Sequence, residues 1–147
     1  MAEIIGKGGV LVAGHVKAPV IMSTQGFNGV AAWTKPRNFE PGGQAICLDW
    51  QHEWNETDLA GKIICFPAET GSTHAPLPYI DLVRNQNGPV AVIVGNPDPL
   101  VAIGIFISKE WHGPSIPLIQ FPTDELMKVL KDGDMIEILE DGTIQKA

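Results

Sequence analysis

Three short apolar runs, at residues 63–66, 90–94 and 116–121, constrain this chain more than any other feature. Each is bounded by turn residues and is too short for a helix. The run at 90–94 is almost entirely β-branched, as in a strand buried on both faces. Helical patterns lie between the runs. Leu77, Ile80, Leu82 and Val83 form one face of a helix that starts near Pro76 and stops at Asn87, Gly88 and Pro89. Residues 100–111 are apolar nearly all round, which predicts a deeply packed helix with Gly104 close to the sheet. A third helix opens at Thr123, read as its N-cap, with Asp124 and Glu125 in its first turn and Gly133 at its end. Strand–helix–strand alternation predicts a parallel core with right-handed crossovers. Ligands in such sheets sit beyond the carboxyl ends of the strands. Residues 69–74, 96–98 and 121–123 therefore share one predicted rim.

The flanks are less regular. Residues 8–16 and 18–24 read as two strands able to pair around 16–18, and residues 134–139 and 143–145 as a hairpin around Asp141 and Gly142. The sum is a single α/β domain over residues 1–147, with a partly parallel mixed sheet and a C-terminal hairpin. Residues 25–43 form a long Gly-, Asn- and Pro-rich stretch, in which Phe27 and Trp33 either cover the core or meet a partner. Asp49, His52 and Glu53 are metal-ligand types without a spaced partner set, so 49–54 reads as a solvated turn anchored by Trp50 and Trp54.

A formal charge of −7 argues against nucleic acid or an anionic membrane as the main partner. No apolar run has the length of a membrane span, and residues 1–12 lack a signal-peptide pattern, so a cytoplasmic protein is expected. Cys47 and Cys65 sit in separate apolar runs and are expected as buried free thiols, too few to hold an iron–sulfur cluster alone.

The chemistry concentrates in residues 59–78. There a buried strand runs into Glu69, Thr70, Gly71, Ser72, Thr73 and His74, and a helix follows. Free N–H groups at a helix start bind anions and lower the pKa of a nearby hydroxyl. Gly71 leaves room for close approach. The plainer reading is that Ser72 or Thr73 caps the helix.

Residues 59–64, Thr70 to Thr73, residues 80–85, residues 88–94, Ala102 to Gly104 and residues 113–119 together resemble the small subunit, or swivel domain, of the aconitase X family. The similarity runs through residues 9–119 and is tightest over 59–119. A family segment after the second strand is echoed by Ser23, Gly26 and Phe27. The resemblance implies a swivelling β/β/α domain. It also implies a hydro-lyase active only with a large catalytic subunit, which carries an iron or iron–sulfur centre; this chain would bind no metal. Ser72 would be the catalytic base, with Gly71, Thr73, His74 and Ser23 binding substrate. The expected reaction removes water from a small hydroxy acid, with cis-3-hydroxy-L-proline or a relative favoured and 5-phosphomevalonate as the alternative. A serine is a feeble base at its ordinary pKa and needs donors or positive charge nearby. Ser72, Thr73, His74 and Ala75 also resemble the turn of phosphohistidine swivel domains, in which His74 would carry a phosphoryl group. A non-catalytic docking domain using Phe27, Trp33 and Trp111 is a third reading.

Overall fold

The structure, a computed structural model, describes residues 2–33, 44–71 and 73–147. In chain order the elements are β1 (Ile4–Lys7), β2 (Gly9–Val12), β3 (Val16–Met22), α1 (Gly29–Trp33), β4 (Ile63–Ala68), α2 (Pro76–Asn85), β5 (Ala91–Asn96), α3 (Pro99–His112), β6 (Leu118–Gln120), α4 (Thr123–Met127), β7 (Met135–Ile138) and β8 (Thr143–Lys146). The strands form one sheet in the order β1-β8-β7-β3-β4-β5-β6-β2. As expected, β4, β5 and β6 are parallel, and β3 joins them. The C-terminal hairpin also forms, with Gly142 at φ 88° in its turn.

β1 and β2 occupy opposite ends of that order, yet only Gly8 separates them in the chain. The sheet must therefore curl until its two edges meet. The seam allows no side chain at Gly8, where a Cβ would stand 2.3 Å from Ile119 and 2.7 Å from the Gln120 carbonyl. There the Gly8 N–H donates to the Gly142 carbonyl at 2.9 Å.

Curling gives the molecule two cores. Ile63, Cys65, Ala91, Ile93 and Ile119 point inward to Val20, Leu126, Ile136, Ile138 and Ile144. The alternate residues Ile64, Phe66, Val92, Val94 and Leu118 point outward to Tyr79, Leu82, Val101 and Ile105 of α2 and α3. This period-2 division explains why the central strands are apolar on both faces. The result is the anticipated β/β/α layering.

Several expectations change. The strands expected at 8–16 and 18–24 do not pair with each other: β2 lies against β6, while β3 pairs antiparallel with β7 through Val16–Pro19 and parallel with β4 through Val20–Met22. Turn chemistry suggested a hairpin, but curvature sends the two strands to different neighbours. Thr123 is the first residue of α4 rather than its cap, and the five-residue helix ends well before Gly133. Residues 25–43 are not wholly loop, since α1 lies within them, and residues 34–43 lie outside the described residues. Phe27 and Trp33 are fully buried, their ring centroids 5.0 Å apart in an edge-on contact, which removes them from any docking face. Cys47 and Cys65 are buried free thiols, as expected.

The largest departure is α3. Only Val101, Gly104, Ile105 and Ser108 are buried along it, while Leu100, Ile103, Phe106 and Trp111 face outward. An apolar composition all round predicted burial all round, but among the described residues this helix packs against α2 and the sheet, not within a surrounding shell.

Candidate functional site

The carboxyl ends of β3, β4, β5 and β6 form one rim, and backbone bonds stitch its loops together. The Phe27 N–H donates to the Ala68 carbonyl at 2.9 Å and the Thr70 N–H to the Phe27 carbonyl at 3.0 Å. The loop after β3 thus continues β4's parallel pairing as a bridge between Phe27 and Glu69. The two chains approach so closely that a Cβ on Gly26 would stand 2.5 Å from the Thr70 methyl. Asn28 Oδ1 accepts the N–H groups of Val30 and Ala31, capping α1 beside the same turn.

Ser72, the expected base, lies outside the described residues, but its neighbours define the turn. Gly71 is required by packing within the chain: a Cβ there would meet the Ala75 Cβ at 2.8 Å and the Asn28 side-chain oxygen at 3.6 Å. Thr73 and His74 are exposed. Ser23 is brought to the same end of the sheet but is buried. Its Oγ accepts the Gln25 N–H at 2.9 Å, and its own N–H donates to the Cys65 carbonyl.

The helix start differs from expectation. Ala75 occupies the N-cap of α2 and makes no side-chain capping bond. Pro76 and Pro78 have no N–H, and the Leu77 N–H donates to the His74 carbonyl. A first turn built this way offers few of the orphan donors that make other helix starts bind anions. Neither the capping role expected of Thr73 nor the donor-rich helix start is what this turn provides.

The group that sequence reading placed on the rim without assigning it a role is Glu69. One carboxylate oxygen accepts the Asp98 N–H at 2.7 Å, tying the β4 turn to the start of α3. The other is buried and has no hydrogen-bond partner among the described residues. Burial pushes this carboxyl up to about 7; the Asp98 N–H opposes the rise and the Asp98 charge adds to it. The Tyr79 hydroxyl is also buried without a partner among the described residues, and desolvation, with Glu69's charge, drives its pKa well up. A carboxyl of this kind can hold or release a proton near neutral pH, three residues before Ser72. The signal was available in the sequence: an acid at the end of a buried strand, two residues before Gly71.

Elsewhere the expectations are simpler. His15 Nε2 stands 2.6 Å from Glu137, and the buried His52 accepts the Trp54 N–H on Nδ1. Asp49 Oδ1 accepts the Gln51 N–H, so Asp49 and His52 serve a turn. Among the described residues, no group of three or more His, Cys, Asp or Glu could hold a metal ion. Burial also pushes the Cys65 thiol up to about 12, far from the thiolate that binds iron. The described residues do not fit an iron or iron–sulfur group. A cavity of about 520 Å³ lies at the opposite end of the sheet, against Val90 and Pro117, and includes none of the rim residues. No described helix is long and apolar enough to cross a membrane.

Comparison with known proteins agrees with this geometry. The phosphomevalonate dehydratase small subunit of Thermococcus kodakarensis is 31% identical over 139 residues, covering 92% of this chain and 97% of that one. The cis-3-hydroxy-L-proline dehydratase of Pseudomonas aeruginosa is 24% identical over 110 residues, covering 74% of this chain but 17% of the much longer relative. The crystal structure of Thermococcus kodakaraensis aconitase X in its holo-form superposes with a TM-score of 0.77 at 26% identity, covering 96% of both chains. The family model for the aconitase X swivel domain matches residues 5–146. With its curled sheet and its β/β/α layers, this chain belongs to the aconitase X swivel domain family.

Proposed function

We propose that this chain is the small subunit of a hydro-lyase that dehydrates 5-phosphomevalonate, acting with a large subunit that carries the metal centre. The observation that carries this reading is the extent of the match. The chain aligns with 97% of a phosphomevalonate dehydratase small subunit, but with only 17% of the hydroxyproline dehydratase. That difference favours 5-phosphomevalonate over the cis-3-hydroxy-L-proline expected first. Membership of the aconitase X family leaves the phosphohistidine reading of His74 without support.

Ser72 is the base in this reading, and Gly71, Thr73 and His74 lie against substrate. Loss of water from a hydroxy acid needs a proton taken from carbon and a proton supplied to the departing hydroxyl. A serine takes a proton only if its own has somewhere to go. Glu69, with its carboxyl poised near neutrality, is the proton-holding group this chain supplies to the rim. The few free donors at the start of α2 leave stabilisation of the serine oxyanion to the large subunit.

The deciding experiment is reconstitution with the cognate large subunit, assayed for water loss from 5-phosphomevalonate and from cis-3-hydroxy-L-proline. Turnover of the first and not the second is expected. Turnover of the hydroxyproline alone would overturn the substrate, and turnover of both substrates by the large subunit without this chain would overturn the role.

A further inference from the structure

We propose that the outward face of α3, together with the start of α2, is the surface on which the large subunit docks; this rests on the small-subunit reading above. Leu100, Ile103, Phe106 and Trp111 are 39%, 53%, 54% and 75% exposed on that face, and Leu77 of α2 is 54% exposed. Together they leave on the order of 500 Å² of apolar side chain in water, near the upper end of what a monomer shows in one patch. Such a patch is a large part of the ~800 Å² that each partner contributes to a stable interface. Within α3 itself the acidic and basic residues stand at its far end, at Lys109 and Glu110, so the face suits an apolar protein surface better than a charged ligand.

Position argues for the large subunit over other occupants. The patch begins at the rim. Asp98, whose N–H is held by Glu69, caps α3 by accepting the Leu100 N–H at 2.9 Å. Leu77 and Ile103 flank the point where Gly104 meets Pro76, three residues beyond Thr73. At 1.5 Å per residue, the stripe from Leu100 to Trp111 runs about 16 Å away from the site. A half-site must be held by whatever supplies the other half. A face starting where the site ends lets one contact dock the partner and align the turn.

The experiment captures a tagged copy of this chain co-expressed with the cognate large subunit and measures how much large subunit is recovered. Ile103→Glu and Phe106→Glu are each expected to lower recovery ~tenfold or more, as a buried charge in an interface core does. Val129→Glu, on an exposed apolar residue beyond α4, should leave it unchanged. Ile103→Ala and Phe106→Ala add no charge and are expected to weaken recovery several-fold, which covers unfolding by the glutamates. Full recovery with all four α3 variants would overturn the proposal. So would variants that break a homodimer of this chain while the complex with the large subunit persists. If the unsubstituted chain recovers no large subunit, the small-subunit reading falls, and the docking surface with it.

Discussion

The Glu69 carboxylate accepts the backbone N–H of Asp98 across 2.7 Å, joining the turn after β4 to the cap of α3. A single half-buried side chain thus couples the turn after β4 to the helix that carries the exposed apolar face. Its other oxygen is buried without a partner among the described residues, so the charged form is poorly accommodated.

Glu69 should make stability depend on pH. Its folded-state pKa of about 7 lies above the ordinary 4.5. The native state therefore binds more protons between those values, and the group's contribution, full below the lower one, is lost as pH rises through the window. Glu69→Gln keeps the acceptor for Asp98 and abolishes the titration. It is expected to be more stable than the parent at pH 8 by ~1–3 kcal/mol and nearly equal to it at pH 4. Urea denaturation at the two pH values measures this, and an unchanged difference between pH 4 and 8 would clear Glu69 of responsibility.

Gly104 sits where α3 crosses the start of α2. A Cβ there would meet the Pro76 Cβ at 2.5 Å and its Cα at 3.1 Å. Alanine is the better helix former by ~1 kcal/mol, but proline cannot move aside without moving the first turn of α2. Gly104→Ala is expected to destabilise the protein by about 1–3 kcal/mol, seen as a lower melting temperature. A rise would show that the two helices part easily.

Both thiols should be silent in the folded protein. Cys47 and Cys65 are buried, and burial holds both thiol pKa values up, that of Cys65 at about 12. At pH 8 an aromatic disulfide reagent is expected to react with them ~100-fold more slowly than with a free thiol, and with both at once in denaturant. Fast labelling of either in the native state would contradict the burial described.

Ser72→Ala should cut kcat of the reconstituted complex by ~10²-fold or more, with the substrate KM and the recovery of the large subunit nearly unchanged. Turnover at the parental rate would remove the hydroxyl from the mechanism and leave Glu69 as the rim's proton carrier.

Much of this protein follows from its sequence. The period-2 runs at 63–66 and 90–94 are apolar on both faces because each face meets a core of its own, which made the parallel strands and their rim legible. The buried thiols followed in the same way. Tertiary structure alone decided the rest. The separation of β2 from β3 depends on a sheet that curls until Gly8 closes it, a long-range condition no local turn signal carries. The character of Glu69 comes from desolvation by residues distant in the chain, and the exposure of Phe106 and Trp111 from how few of the described elements surround α3. Local propensity records what a residue prefers, whereas burial depends on which neighbours the whole fold brings to it.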